Sequence, residues 1–463
     1  MTGVAVPAAP APAEPGLRAG AATSNITPLF GVKLDGGIMQ IGSATHIHDE
    51  LYARCLVLDD GATRLAFVVC DTTMIATEVI DHAKRLIHEA TGLAPDHVII
   101  SATHTHSTPR ALDLKLGPKN DAYNAFFAER VADGVRRAIH QLQPAKIGWN
   151  SGQQPEYVQT RRWLVQPDHV PLNPFGEAVD RVVMGASPRG KIQPAGPVDP
   201  EIFVLSVRHL DGRPLAVLAN YGLHYVGGVP NGEVSADYFG VFADEVQRLL
   251  GADRAHPPFV AMMTNGTSGD VITPRVPATY YERMQEVAEG LAQEVARICA
   301  GIDYRSTLSL AVERSQLHLG VRKPDAARLR WANEVFSTVN SGARLTRPQV
   351  YAREARFLAD YPATVPITLL AFRIGDLAIA AVPCEVFAAT GLAVKAQSPF
   401  NATFVIELAN GYYGYLPTPD DHALGGYETW PARTAFLEIQ AEPAVRAEAV
   451  QLLRRLAASQ RRQ

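Results

Sequence analysis

Short apolar runs alternate with amphipathic stretches along most of the chain. Residues 53–58 and 64–70 are apolar runs separated by a polar turn that contains glycine, which predicts a β-hairpin. Residues 76–90 place apolar side chains at helical spacing, and residues 97–102 form a further apolar run that predicts a buried strand. The order strand, helix, strand predicts an α/β fold in which mixed β-sheets are flanked by helices.

The same two periodicities predict further strands and helices as far as the C-terminus. The strands are expected at residues 202–207, 215–220, 258–263, 308–313, 365–374, 377–382 and 403–407. The helices are expected at residues 122–142, 238–250, 282–300, 324–338, 347–361 and 441–458, and the last of these is basic and amphipathic.

Neither an internal repeat nor a Gly/Ser linker divides the sequence, which predicts a single domain over residues 21–463. This domain follows residues 1–20, which are rich in Ala and Pro and predict a flexible leader. Residues 167–200 are rich in proline and predict a long surface loop or a lid, in preference to a domain boundary.

Composition and charge narrow the class of protein. The chain has 43 Lys and Arg residues against 47 Asp and Glu, a net charge of −4, so no overall basic field exists for nucleic acid or an anionic membrane. The longest apolar stretches are far shorter than the ~20 residues of a transmembrane helix. The leader lacks a basic region followed by an apolar one, so we expect a cytoplasmic location. The four scattered cysteines predict neither disulfides nor a thiolate metal site.

Two histidines that follow the predicted strand 97–102 are candidates for metal binding. His104 and His106 are two residues apart, and on an extended segment both imidazoles point the same way. They also lie just past a strand end, where α/β proteins collect ligand groups. The alternative interpretation is that both are polar residues of a turn.

His224 and Glu385 repeat this placement. His224 follows the predicted strand 215–220, and Glu385 follows the buried run 377–382, where an unpaired carboxylate is costly to desolvate. The alternative for Glu385 is a carboxylate at a helix start that faces the helix dipole. Two histidines and a carboxylate from separate segments are typical of a catalytic zinc site with an open position for water, although nitrogen and oxygen ligands also suit other divalent ions.

A polar loop at residues 410–428 carries several tyrosines and glycines. Tyrosines alone are also typical of aromatic side chains in the core or at its rim. This loop is the last of a series of motifs in the sequence. The motifs are 101–109 (SATHTHSTP), His224 with 235–240 (SADYFG), Asn265 with 269–271 (GDV), 382–385 (VPCE), and Tyr415 with 427–428 (YE). In order and residue type they resemble the catalytic domain of neutral, non-lysosomal ceramidases, over roughly residues 20–435.

The resemblance implies a set of zinc ligands and a set of substrate contacts. The implied zinc ligands are His104, His224, Glu385 and Tyr415. His106 is implied to lie beside the site, and Tyr427 to hydrogen-bond the reacting carbonyl. Arg161 resembles the family arginine that faces the carboxylate or oxyanion of the cleaved acyl group, with the adjacent Arg162 as the open alternative. The further residues assigned to substrate binding are Asn265, Asp270 and Thr273.

The activity implied by the resemblance is hydrolysis of a linear amide, an N-acyl amine. Zinc lowers the pKa of its bound water from about 15.7 towards ~7, so hydroxide is available at neutral pH to attack the carbonyl. Zinc, Tyr427 and Arg161 would stabilise the oxyanion, and His106 or a nearby acid would protonate the leaving amine. The same site fits an esterase or lactonase, and a metal-stabilised binding protein without catalysis is the alternative from another class.

Two departures from the family pattern change these expectations. Ile272, followed by Thr273, stands where the family has a serine once considered a nucleophile, so a serine acyl-enzyme is disfavoured. We also expect no counterpart of the family's C-terminal β-sandwich-like domain, because a predicted helix follows soon after the catalytic region. We therefore expect a small-molecule acylated amine as substrate, either ceramide-like or smaller and more soluble, and the oligomeric state stays open.

Overall fold

The protein's structure, a computed structural model, describes residues 16–36, 39–109, 120–253, 257–339 and 344–460. Most of the predicted leader, residues 1–15, lies outside the described residues. The first strand begins at Arg18, so the sheet starts inside the segment predicted to be flexible. Ala19 and Ala22 of this strand are buried, because small side chains fit where the strand packs between its neighbours.

The described residues form strands that range from two to eleven residues. These are β1 (Arg18–Asn25), β2 (Lys33–Gly36), β3 (Met39–Ser43), β4 (His46–Ile47), β5 (Tyr52–Asp59), β6 (Arg64–Cys70), β7 (Val98–Ala102), β8 (Gln143–Gln153), β9 (Gln159–Thr160), β10 (Arg162–Val165), β11 (Val182–Met184), β12 (Lys191–Pro194), β13 (Glu201–His209), β14 (Pro214–Tyr221), β15 (Glu233–Val234), β16 (Val260–Asn265), β17 (Val271–Ile272), β18 (Leu310–Gly320), β19 (Thr364–Ile374), β20 (Leu377–Ala381), β21 (Glu385–Val386), β22 (Ala402–Ile406) and β23 (Tyr415–Leu416).

The α-helices of the described residues confirm the predicted ones in type and approximate position, and two further helices, Ala388–Gln397 and Pro419–Leu424, are not predicted from the sequence. They are α1 (Thr77–Thr91), α2 (Asp121–His140), α3 (Asp237–Leu249), α4 (Tyr280–Ala300), α5 (Ala326–Ser337), α6 (Arg347–Ala359), α7 (Ala388–Gln397), α8 (Pro419–Leu424) and α9 (Ala441–Gln460). In the described part of the chain, no helix combines the length and the apolar character that crossing a bilayer requires.

Two β-sheets pack face to face in the core. The larger has the strand order β16-β14-β13-β8-β1-β5-β6-β7, and the smaller has the order β18-β19-β20-β22. Alternate side chains of each strand point to opposite faces, so Leu56 and Phe67 of the larger sheet meet Phe372 and Phe404 of the smaller one. Both sheets contain parallel and antiparallel pairs, which confirms the predicted mixed sheets.

Helices cover the outer faces of both sheets. On one half of the larger sheet, the strand residues Cys55 and Val68 pack against Ile87 of α1 and Val131 of α2. Helices α3 and α4 cover its other half, and α9 covers the outer face of the smaller sheet. The fold is therefore layered as helix, sheet, sheet, helix, which confirms the prediction of sheets flanked by helices.

Two strands of the larger sheet, β1 and β8, are not predicted from the sequence. Strand β1 is made of Arg, Ala, Gly, Thr, Ser and Asn, most of which have low strand propensity. It forms because all eight residues pair with β5. A side chain at Gly20 would come within 2.1 Å of the Ala138 carbonyl oxygen, so glycine is required where the end of α2 crosses the strand.

The proline-rich residues 167–200 are not a simple loop. Strands β11 and β12 from this segment pair with β10 on either side and form a small three-stranded sheet. The prediction of a long loop is wrong for these two strands, because segments of three and four residues carry no periodicity and are held only by pairing with a distant partner. Strand β10 begins at Arg162, so this small sheet starts next to Arg161.

Candidate metal centre and active site

Three histidine side chains form a cluster in the loops that follow two strands of the larger sheet. His104 and His106 follow β7, and His224 follows β14. One nitrogen of each ring lies within 4.8 Å of the corresponding atoms of the other two rings, and the Nε2 atoms of His104 and His106 are 3.2 Å apart. This spacing allows the three side chains to hold one metal ion.

Main-chain carbonyl groups fix the orientation of two of these rings. His104 Nδ1 lies 2.6 Å from the Thr73 carbonyl oxygen, and His224 Nδ1 lies 3.0 Å from that of Ser268. A carbonyl oxygen only accepts hydrogen bonds, so Nδ1 carries the hydrogen and Nε2 keeps its lone pair towards the cluster. Burial lowers the pKa of His224 well below its ordinary value, and the Arg161 guanidinium lowers it further, so this ring is neutral.

The two histidines of the 104–106 segment converge for a reason other than the predicted one. An extended segment is predicted from the sequence, but His104 has a φ of 65°, in the left-handed region. A non-glycine residue in this conformation is strained, and the surrounding structure must stabilise it. The backbone N–H of His104 donates to the Thr72 carbonyl at 3.0 Å, which helps to fix the turn. His106 stacks on Tyr225, with 3.8 Å between ring centroids.

Glu385 faces the histidine cluster with one carboxylate oxygen unsatisfied. Its Oε1 accepts a hydrogen bond from the Tyr412 hydroxyl at 2.8 Å. Its Oε2 is buried without a hydrogen-bond partner among the described residues, and it lies 3.3 Å from His104 Nε2 and 3.8 Å from His224 Nε2. A buried carboxylate oxygen without a partner is costly, and a cation at this position would compensate it. The residues present therefore fit a divalent metal such as zinc.

Tyr415 lies beside Glu385 because the two residues are partners in a short parallel pair. Strands β21 and β23 align Glu385 with Tyr415, and the Glu385 N–H donates to the Gly414 carbonyl at 2.9 Å. Burial raises the pKa of Tyr415 well above its ordinary value, although Arg161 opposes this. The structure thus brings together the four residues implied as metal ligands, while their role as ligands stays a prediction.

Of the two adjacent arginines, only Arg161 faces the histidines. Its Nη1 lies 3.3 Å from His224 Nε2, and its guanidinium carbon lies 5.2 Å from the centre of the Tyr415 ring. Arg162 points elsewhere, where its Nη2 donates to the carbonyl oxygens of Asp421 and Gly425 at 3.2 and 2.9 Å. This placement favours Arg161 over Arg162 as the arginine that contacts substrate.

Glu428 holds both arginines. Its Oε1 accepts from Arg161 Nε at 2.8 Å, and its Oε2 accepts from Arg162 Nη1 at 2.7 Å. Burial acts to raise the pKa of Glu428, but the two guanidinium groups outweigh it, so the pKa lies below its ordinary value. The carboxylate is therefore ionised and fixes the Arg161 side chain towards His224.

Tyr427 lies at the edge of the cluster, in a short 3₁₀ turn of residues Tyr427–Thr429. Its ring packs edge-on against Tyr415, with 5.8 Å between the ring centroids. Burial raises the pKa of Tyr427 above its ordinary value, and the Glu385 carboxylate raises it further, so the hydroxyl keeps its proton. It can therefore donate a hydrogen bond to a carbonyl or oxyanion.

The three residues assigned to substrate binding have protein partners outside the histidine cluster. Asn265 Nδ2 donates to the Thr103 carbonyl at 3.0 Å, which supports the segment that carries His104. Asp270 Oδ1 accepts from the first N–H of α7, and Thr273 Oγ1 accepts from Arg283. Burial raises the pKa of Asp270 to about 7. Direct contact of these residues with substrate stays a prediction.

Several residues that support the site are not predicted from the sequence. Glu407 directly follows the apolar strand β22, the same signal that marks Glu385, and so could have been found. Its carboxylate is fully buried, and burial raises the pKa of Glu407 well above its ordinary value, with Glu385 adding to the effect. Thr73 and Ser268 act through main-chain carbonyls, which any residue type supplies, so the sequence carries no signal for them.

Comparisons with known proteins identify the family and the fold. A family model described as neutral/alkaline non-lysosomal ceramidase, N-terminal, matches residues 18–301. The neutral ceramidase from Pseudomonas aeruginosa superimposes with a TM-score of 0.71 at 19% sequence identity, and the match covers 95% of this chain and 74% of that one. A ceramidase complexed with C2 gives 0.71 at 17% identity, covering 96% and 76%. At these identities the structural likeness establishes the fold.

Proposed function

The chain belongs to the neutral/alkaline non-lysosomal ceramidase family, and from this membership and the geometry of the site we propose that it is a zinc-dependent hydrolase of a linear amide. The substrate class is an N-acyl amine, either ceramide-like or a smaller, more soluble analogue. Family membership and fold support a ceramide-hydrolysing enzyme, and the proposal adds the metal and the residues that act.

The observation that carries the proposal is the arrangement of Glu385 and two histidines. The unsatisfied Oε2 of Glu385 faces the Nε2 atoms of His104 and His224, and both imidazoles donate from Nδ1 to main-chain carbonyls. A structural polar cluster would satisfy its own buried carboxylate oxygen, whereas a metal site leaves that oxygen for the ion. His104, His224, Glu385 and Tyr415 would hold the metal, with His106 next to them.

A divalent metal at this position would polarise an acyl carbonyl and lower the pKa of water. The chain's own residues bind and orient the substrate and move the proton. Arg161, fixed by Glu428, directs its guanidinium towards the cluster and so stabilises negative charge on the acyl oxygen. Tyr427 donates a hydrogen bond to the same oxygen, and His106 delivers a proton to the leaving amine.

Metal content and hydrolysis of a matched substrate panel test the proposal. The purified protein is analysed for bound metals, and N-acyl amines of different acyl length are compared with esters of the same acyl groups, before and after chelation. We expect about one zinc per chain and amide cleavage that chelation abolishes and zinc restores. Cleavage of esters alone would replace the amidase with an esterase. Absence of bound zinc, with no activity after adding metal, would refute the proposal.

A further inference from the structure

Glu407 lies where the segments that carry the proposed metal ligands meet. It follows β22 of the smaller sheet, and its carboxylate is fully buried. Its Oε1 accepts from the Ser268 hydroxyl, and its Oε2 accepts from the Val386 N–H at 2.6 Å. Ser268 belongs to the loop that follows β16 of the larger sheet, and Val386 follows Glu385. One carboxylate thus joins the loop that follows β16 to strand β21.

Both partners of Glu407 are directly connected to a proposed ligand. The Ser268 carbonyl accepts from His224 Nδ1, so movement of Ser268 would turn the His224 ring. Val386 is the residue after Glu385, so its N–H bond fixes the backbone from which the Glu385 side chain projects. Two ligands from segments far apart in the sequence therefore depend on the position of the same carboxylate.

Further contacts hold the two segments at a fixed separation. The Gly269 N–H donates to the Val386 carbonyl at 2.9 Å, and a side chain at Gly269 would come within 2.7 Å of the Glu385 carbonyl oxygen. Only glycine permits this approach. The Glu407 N–H donates to the Asn265 carbonyl at 3.2 Å. The backbone contact and the carboxylate bridge together set the distance between His224 and Glu385.

We propose that Glu407 is a positioning residue of the metal site, which holds the His224 and Glu385 segments in the geometry that binds zinc. This inference rests on the proposed function, because it assigns the site to a metal. Glu407 contacts neither substrate nor the reacting atoms, and it acts through Ser268 and Val386. Partners of this kind typically change metal affinity about 10–100-fold when removed.

Three variants separate the hydrogen bonds of Glu407 from its volume. Glu407→Leu keeps much of the volume and removes both acceptors. Glu407→Gln can accept from the Val386 N–H through its oxygen and donate to the Ser268 hydroxyl through its nitrogen, so it preserves both contacts in a side chain that cannot ionise. Ser268→Ala removes the hydroxyl that bonds Glu407 and keeps the main-chain carbonyl that accepts from His224. It provides the test if Glu407→Leu does not fold.

Zinc affinity, measured by competition with a chromophoric chelator, is the first readout. We expect Glu407→Leu to bind zinc about 10–100-fold more weakly and Ser268→Ala about threefold to tenfold more weakly, with Glu407→Gln within about threefold of the wild type. The matched control is Glu442→Gln. Glu442 is also buried and accepts a hydrogen bond from the Thr390 hydroxyl, but it lies in α9. A purely structural role would lower thermal stability in the folded variants without changing zinc affinity.

Hydrogen exchange of the metal-free protein is the second readout and does not depend on zinc. We expect the Val386 amide to exchange faster in Glu407→Leu and to recover its protection in Glu407→Gln, because the latter restores an acceptor. Any of three results would overturn the inference. These are unchanged zinc affinity in Glu407→Leu and Ser268→Ala, no rescue by Glu407→Gln, and unchanged exchange of the Val386 amide. A wild-type protein that takes up no zinc would refute the metal assignment instead, and the exchange result would still decide the role of Glu407.

Discussion

The histidine side and the arginine side of the site are held by different means. The rings of His104 and His224 are oriented by the carbonyl oxygens of Thr73 and Ser268. The guanidinium groups of Arg161 and Arg162 are instead held by the buried carboxylate of Glu428. A neutral ring needs only a main-chain dipole to fix its tautomer, whereas a buried cation must be paired with an anion to offset its desolvation.

Because the two sides are held differently, substitutions on each side should have different effects. The carbonyl bonds on the histidine side leave Nε2 lone pairs available, so changes there should remove the metal and the activity together. The carboxylate on the arginine side fixes positive charge, so changes there should leave the metal in place and lower turnover or stability. The following predictions test that separation.

The largest effect is expected for His104→Ala on the histidine side. The variant loses one of the Nε2 donors that face Glu385, so bound zinc should fall close to zero and hydrolysis by about 10³-fold or more. Elemental analysis and initial rates check this. His97→Ala is the matched control, because His97 also bonds to a main-chain carbonyl, that of Arg64, outside the cluster. Full zinc and full activity in the His104 variant would exclude His104 as a ligand.

On the arginine side, Arg161→Lys should separate activity from metal binding. Lysine keeps the charge but cannot bond Glu428 and face His224 at once, so kcat/KM should fall about 10²–10³-fold with normal zinc content. Arg162→Lys is the control, and it should lower the free energy of unfolding by about 1–3 kcal/mol while activity persists in the folded protein. The assignment of the two arginines is reversed if Arg162→Lys alone reduces turnover.

A smaller effect is expected for Tyr427→Phe. Loss of one hydrogen-bond donor to the acyl oxygen should lower kcat about 10–100-fold, and zinc content should not change. Tyr304→Phe is a suitable control, because the Tyr304 hydroxyl bonds Ser206 away from the site. An unchanged kcat in the Tyr427 variant would make this residue a packing aromatic.

The smallest effect concerns Asp270, whose carbonyl accepts from the Arg161 N–H. Burial raises its pKa from 3.8 to about 7, so the folded state binds the proton more tightly than the unfolded state. The free energy of folding that protonated Asp270 contributes is fully present below pH 3.8 and is lost as the pH rises through about 7. Asp270→Asn should therefore gain thermal stability relative to the wild type as the pH rises from 3.8 to about 7, and the difference should stay constant above that pH. A pH-independent difference in unfolding midpoints would contradict this.

Much of the fold follows from local patterns. The helices and the long core strands appear in the sequence because burial on one face imposes a period of 3.6 or 2 residues. Strand β1 does not show this period, because the close approach of α2 at Gly20 requires small residues there. Strands β11 and β12 are also not apparent, because each is held by β10 and not by its own composition.

The α/β class, the histidines and carboxylate that follow buried strands, and the resemblance to the ceramidase family are apparent from the sequence alone. The folded chain establishes which arginine faces the histidines, how His104 turns towards His106, and that Glu407 links Ser268 to Val386. The contacts of Ser268 with Glu407 and of Arg161 with Glu428 join residues more than a hundred positions apart. Local periodicity carries no information about such contacts, because they form only when distant segments of the chain come together.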